Sequence, residues 1–317
     1  MKRTFITLAA ALVCPSGALG AVNVVTTTQA YADIVRKLGG PQVKVTSIMR
    51  GPENPHHVKP RPSFIMKVRR AKLFIHSGLD MEVWVPLLVK GSRKKNLLYG
   101  QVGNVDVSKG IKLLEVPKPG ELSRAQGDIH VFGNPHYMSD PLNSIIVART
   151  ITKRLKRVDP GHADLYEKNF EAYAKEARET TDRLVKKMKP YWGTKVVVYH
   201  RAWPYFRRRF GLIKVDEVEP KPGITPGPQH LSETIEKMKE SGARIIIVDT
   251  YVSKENADFI ADKAGGRAVV LAEDVHGLPG CDTYLGTIEH DVDAIIAALH
   301  DLGVQPNATG QSNGDQP

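Results

Sequence analysis

Apolar and polar positions along the 317-residue chain follow two alternating periods. Short apolar runs rich in β-branched residues, at 22–26, 43–49 and 72–76, predict strands, and the intervening 29–38 and 62–70 carry helical spacing. The alternation returns later, with strands predicted at 195–199, 213–218, 244–248 and 268–271 and helices at 202–210, 231–241 and 254–264. Alternating β and α predicts an α/β protein with two lobes.

Between the two sets, residues 163–189 run without Gly or Pro and are rich in Glu, Lys, Ala and Arg. Leu165, Phe170, Tyr173, Ala177, Leu184 and Met188 recur at roughly helical spacing, so one long helix is predicted. Asp159-Pro160-Gly161 and Pro190 punctuate its ends. A continuous helix joining two lobes is a stiff strut, which limits their relative movement. The expected organisation is a leader at 1–20, a first lobe at 21–161, the linking helix at 162–190, a second lobe at 191–304 and a disordered polar tail at 305–317.

Charge adds little. Lys and Arg number 45 against 34 Asp and Glu, a formal +11, but the basic residues are spread along helical faces. No aromatic-interleaved motif or zinc-finger spacing accompanies them, so no nucleic-acid partner is expected. The N-terminus is more telling. Lys2 and Arg3 precede an apolar run from Phe5 to Val13, and Ala18-Leu19-Gly20 supplies small residues for a cut before Ala21. This reads as a secretory signal; a spanning helix needs about 20 apolar residues. Leu12-Val13-Cys14-Pro15 lacks the small residues that usually precede a lipidated cysteine. Removal of the leader leaves Cys281 as the one thiol, so packing and a bound ligand, not a disulfide, must hold the exported chain together.

Three histidines stand in similar settings. His56 lies in Asn54-Pro55-His56-His57 past the strand at 43–49, His136 in Gly133-Asn134-Pro135-His136-Tyr137, and His200 directly after the strand KVVVY. Parallel sheets present the C-terminal ends of their strands to the ligand crevice. Asp274 follows the strand at 268–271 and offers an oxygen, with Asp249 as the substitute if Asp274 points elsewhere. Three neutral imidazoles and a carboxylate form an N/O set suited to four-coordinate Zn2+, whereas Mn2+ favours more oxygen. With eleven histidines in the chain and no compact spacing, this set is only a candidate on residues alone.

Several motifs together sharpen it. Pro55-His56 with Pro60, Pro62 and Ser63; Gly78-Leu79-Asp80-Met81-Glu82 with Trp84; Gly133-Asn134-Pro135-His136-Tyr137 with Asp140-Pro141; and Tyr199-His200 with Tyr205-Phe206 occur in that order. Over nearly the whole mature chain this resembles the zinc- and manganese-binding solute-binding proteins of bacterial ABC importers (cluster A-I, or cluster 9). The resemblance implies two lobes, each with a mostly parallel four-stranded sheet, bridged by a long helix and holding one metal ion between them. Carried over by position, His56, His136 and His200 match three metal ligands and Asp274 the fourth. Manganese members commonly carry glutamate where His200 stands, so zinc is the expected cargo.

The chain departs from the family pattern in three places. Asn54 replaces the usual aspartate, Met138-Ser139 a common Trp-Leu pair, and the His/Asp-rich loop of many zinc members is missing from residues 117–127. His57 and His130 are candidate transient ligands, and His76 and His276 wall residues. Glu53, Asp140 and Glu82 are candidates to orient the rings by accepting their free N–H. The expectation is periplasmic capture of Zn2+ by a monomer and delivery to an inner-membrane ABC permease, without catalysis, with a metallochaperone as a candidate loader. Its rivals are a manganese-binding protein or adhesin of the same fold and a secreted zinc hydrolase; the latter needs an open coordination position and a base such as Glu273, and no His-Glu-x-x-His occurs.

Overall fold

The computed structural model describes residues 20–118 and 130–306. The leader before Gly20, residues 119–127 of the shortened loop and the tail from 307 lie outside the described residues.

The first lobe is built from β1 (Val22–Thr26), β2 (Val43–Ser47), β3 (Leu73–His76) and β4 (Asn104–Asp106), with α1 (Gln29–Gly39), α2 (Pro62–Arg70), α3 (Val85–Ser92) and α4 (Asn143–Val158) around them. All strand pairs are parallel, in the order β2-β1-β3-β4. α5 (Ala163–Met188) follows, and the second lobe repeats the plan. There β5 (Lys195–Val198), β6 (Ile213–Glu217), β7 (Ile245–Asp249) and β8 (Arg267–Leu271) pair in parallel as β6-β5-β7-β8. Its helices are α6 (Pro204–Phe210), α7 (Pro228–Ser241), α8 (Glu255–Ala264) and α9 (Tyr284–Asp301).

Strands covered on both faces must be apolar throughout. Leu73, Phe74 and Ile75 of β3 and the Ile245–Val248 stretch of β7 are accordingly fully buried. The predicted strands and helices fall within three residues of the observed ones, the largest differences being at the starts of α6 and α7 and the end of β2. Sequence reading named neither α3, α4 and α9 nor the three-residue β4. In α4, β-branched Ile145, Ile146, Val147, Thr150, Ile151 and Thr152 favour strand locally, and packing against α5 overrides them. In α5 the buried stripe begins at Tyr166, one position beyond the expected Leu165, and continues through Phe170, Tyr173, Ala177, Leu184 and Met188.

One continuous core runs from the inner face of β1 and β3 through α5 to β5, β7 and α9. Two smaller cores line the outer faces of the two sheets. Each sheet order places a reversal of winding between its first and third strands, and ligands bind outside the strand C-termini at such a point. Thr27 and Ser77 mark that place in the first lobe, His200 and Asp249 in the second.

Candidate metal centre

His56, His136 and His200 meet. One ring nitrogen from each lies within 4.8 Å of the others, and each residue is about 4% exposed. Among the described residues this is the one group of three or more His, Cys, Asp or Glu side chains so arranged.

Two of the three rings are delivered by the same local device. The Asn54 side-chain oxygen accepts the His56 backbone N–H at 2.8 Å, and the Asn134 oxygen accepts that of His136 at 3.0 Å. Each is an asparagine turn closed over a proline, and an asparagine oxygen makes it as well as an aspartate does. The replacement of aspartate by Asn54 therefore leaves the turn intact. Trp84 Nε1 donates to the Pro55 carbonyl at 2.8 Å, and Tyr205 donates to the Asn134 carbonyl at 2.9 Å, so the aromatic residues of the sequence motifs hold the histidine loops from behind. Asn134 also donates to the Arg201 carbonyl, tying the His136 loop to the residue after His200.

Every ring has its Nδ1 engaged. His56 Nδ1 donates to the Met81 carbonyl at 3.2 Å, His136 Nδ1 meets Glu273 at 2.9 Å, and His200 Nδ1 meets Glu219 at 2.7 Å. A carbonyl only accepts, so His56 carries its proton on Nδ1 and Nε2 is bare. Burial, with the neighbouring imidazoles, holds His56 and His136 well below the ordinary histidine pKa, so both are neutral at pH 7. His200 differs. Burial pulls it down, but the Glu219 hydrogen bond and the charges of Asp249, Glu219 and Glu273 outweigh this and push it up to about 9.

The Nε2 atoms of His56 and His136 stand 3.2 Å apart. They face each other at hydrogen-bond distance, and a cation between them would take the place of any proton they share. A tetrahedral zinc with Zn–N of about 2.1 Å has an N···N edge of about 3.4 Å, close to the observed spacing. Buried carboxyl groups that a cation would ionise stand close by. Asp249 is fully buried, and its Oδ1 accepts from Trp203 Nε1 while Oδ2 has no hydrogen-bond partner. Burial and the nearby Glu273 hold its pKa well above the usual carboxylate range. Burial likewise raises Glu273 to about 7.

Asp274, expected as the fourth ligand, lies outside the convergent group. Its oxygens accept from the backbone N–H groups of Gln29 (3.0 Å), Ala30 (2.7 Å) and Val275 (2.9 Å). It caps α1 from the other lobe. Nor do the expected ring partners touch the rings: Glu53 accepts from the Arg50 backbone, Asp140 pairs with Arg209, and Glu82 binds Thr27 and Ser77. Glu219 and Glu273 take that role instead. Both stand within two residues of a strand C-terminus in the second lobe, which is the signal that would have found them. The His130 ring lies 5.0 Å from that of His56 and lines a cavity with His136 and His200, while His57 is exposed. His76 is buried against Asn104 in the first lobe, and His276 is exposed beside Asp282.

The family model described as "ZnuA: Zinc-uptake complex component A periplasmic" matches residues 24–298. The metal ABC transporter substrate-binding lipoprotein FimA of Streptococcus parasanguinis is 25% identical over 255 residues, 78% of each chain. The manganese-binding lipoprotein MntA of Halalkalibacterium halodurans is 25% identical over 286 residues, 88% of each. A crystal structure of ZnuA superposes with a TM-score of 0.74 at 23% identity, covering 88% of this chain and 99% of that one. At that identity the superposition speaks for the fold.

Proposed function

Since the chain belongs to the ZnuA family of zinc-uptake components, we propose that it captures Zn2+ between its lobes and delivers it to an ABC-type permease. It is a metal substrate-binding component of an ABC transporter and not an enzyme. The zinc reading rests on one observation above the others: three imidazoles converge with each Nδ1 engaged by an acceptor, leaving Nε2 for a metal. A nitrogen-rich set of this kind favours Zn2+ over Mn2+, even though one relative is named for manganese.

His56, His136 and His200 are the proposed protein ligands. Glu273, through its contact with His136 Nδ1, holds that ring towards the ion, while Asp274 holds the lobes. All three imidazoles come from one chain, so a monomer suffices. The proposed site of action is the periplasm, in keeping with the family description and the leader expected at 1–20.

Equilibrium dialysis with metal analysis tests the proposal. The wild-type chain retains about one zinc per molecule, as a single four-coordinate site requires, and replacing His56, His136 and His200 together with Ala abolishes retention. Retention that survives the triple replacement sinks the assignment, and a competition titration in which Mn2+ displaces Zn2+ moves the cargo to manganese.

A further inference from the structure

The loop between β3 and α3 is wound in a way that the histidine cluster alone does not explain. Gly78, Leu79 and Asp80 take φ values of 71°, 54° and 57°, three successive left-handed residues of which two carry side chains. Such backbone persists only where its surroundings hold it, and it gathers at functional sites. A Cβ at Gly78 would fall 2.3 Å from Asp106 Oδ1, so a side chain there would have to push that carboxylate aside.

Glu82 holds the loop. Its buried carboxylate accepts the hydroxyls of Thr27 and Ser77, each at 2.6 Å, and the Ser77 N–H at 3.1 Å. Ser77 precedes the left-handed run and Glu82 follows it, so one carboxylate clamps both ends of the turn to the C-terminal end of β1. The groups beside the clamp point to the cluster. Met81, next to Glu82, gives its carbonyl to His56 Nδ1. The Ser77 carbonyl accepts the hydroxyl of Tyr137, the neighbour of His136, at 2.6 Å. Tyr31 touches both Ser77 Oγ (3.0 Å) and the Tyr137 hydroxyl (3.1 Å).

We propose that Glu82 is a positioning residue for metal capture, setting the tautomer of His56 through Met81 and the placement of His136 through Ser77 and Tyr137 without touching the ion. The inference rests on the reading of the histidine cluster as a metal site. It differs from a purely structural role in one respect: a fold-stabilising carboxylate leaves the His56 tautomer alone once the protein is folded.

The test uses the full metal-free chain. Nitrogen-15 imidazole shifts report the His56 tautomer, and competition with a chromophoric chelator reports zinc affinity. Wild type shows His56 with its proton on Nδ1. Glu82→Gln is expected to give a mixture of Nδ1–H and Nε2–H forms and a zinc affinity about 10- to 100-fold lower, the range for a group that orients a metal-bound histidine. Thr27→Val, which removes one hydroxyl from the clamp at constant shape, moves both readouts the same way by a smaller step, and Thr27→Ser restores them. A folded Glu82→Gln protein with the wild-type tautomer and affinity overturns the proposal. If that variant does not fold, an unchanged Thr27→Val protein overturns it instead. Should wild type hold no zinc, the capture reading falls, and the tautomer readout, which needs no metal, still decides the role of Glu82.

Discussion

At the scale of single residues, the three histidines have unlike protonation although they share one cluster. His56 and His136 are neutral at pH 7, whereas His200 is raised to about 9 and forms an imidazolium–carboxylate pair with Glu219. A metal ion needs the bare nitrogen, so zinc must displace the His200 proton. Affinity is therefore expected to rise about tenfold per pH unit from pH 7 towards 9 and then to level off, because one proton is released per ion below that point. Below about 7, where Glu273 also takes up a proton, the dependence steepens. Calorimetry in buffers of different ionisation enthalpy measures the released proton directly, and an affinity independent of pH between 7 and 9 contradicts the pairing. The metal-free fold has the opposite trend. A histidine raised in the folded state contributes stability that is full below its unfolded value of about 6.5 and is lost as pH rises through 9.

At the scale of elements, the feature that matters is how α1 begins. Its N-cap Thr28 makes no side-chain cap and its first turn carries no acidic residue. The acceptor for the first N–H groups of the helix, those of Gln29 and Ala30, is Asp274, which reaches across from the loop after β8. The arrangement is reciprocal: Asp33 of α1 accepts the backbone N–H of Tyr284 at the start of α9 (2.9 Å). Each lobe thus supplies a carboxylate to a helix start of the other, where a negative charge is favoured. Asp274→Ala is expected to cost about 1–3 kcal/mol of stability, because it leaves buried donors without an acceptor. Glu273→Gln is expected to leave stability nearly unchanged and to weaken zinc binding about tenfold or more. Denaturant titration and chelator competition on the two variants separate the roles, and the reverse pattern would return Asp274 to the ligand set.

At the scale of the whole molecule, the lobes do not meet at an open cleft with a thin hinge. A single apolar core passes from one sheet through α5 to the other. Arg209 and Asp140 add a two-pronged ion pair between the lobes, with contacts of 2.9 and 2.8 Å, and Tyr284 donates to the Met138 carbonyl at 2.7 Å. Swinging the lobes apart would expose that core, so zinc binding is expected to change the backbone by no more than about 1 Å, as in preorganised complexes. Small-angle scattering of the metal-free and zinc-loaded chain checks this, and a contraction of several ångströms on loading would reveal a hinge that the packing argues against.

Much of this was legible in the chain itself. Periods of two and 3.6 residues placed the strands at 22–26 and 195–199 and the helix at 163–189, within a residue of the observed ends, because backbone geometry turns a repeating apolar pattern directly into a buried face. The same reading singled out His56, His136 and His200, since strand ends and Asn-Pro-His turns are local signals. What local signals do not contain is which side chain faces which across the molecule. Asp274 and Glu273 are adjacent, yet one caps a helix 244 to 245 residues away and the other meets His136, 137 residues away. Only the packing of the two lobes on α5 determines that choice, because adjacent side chains diverge and a burial pattern says that a carboxylate is enclosed without saying which donors it finds there.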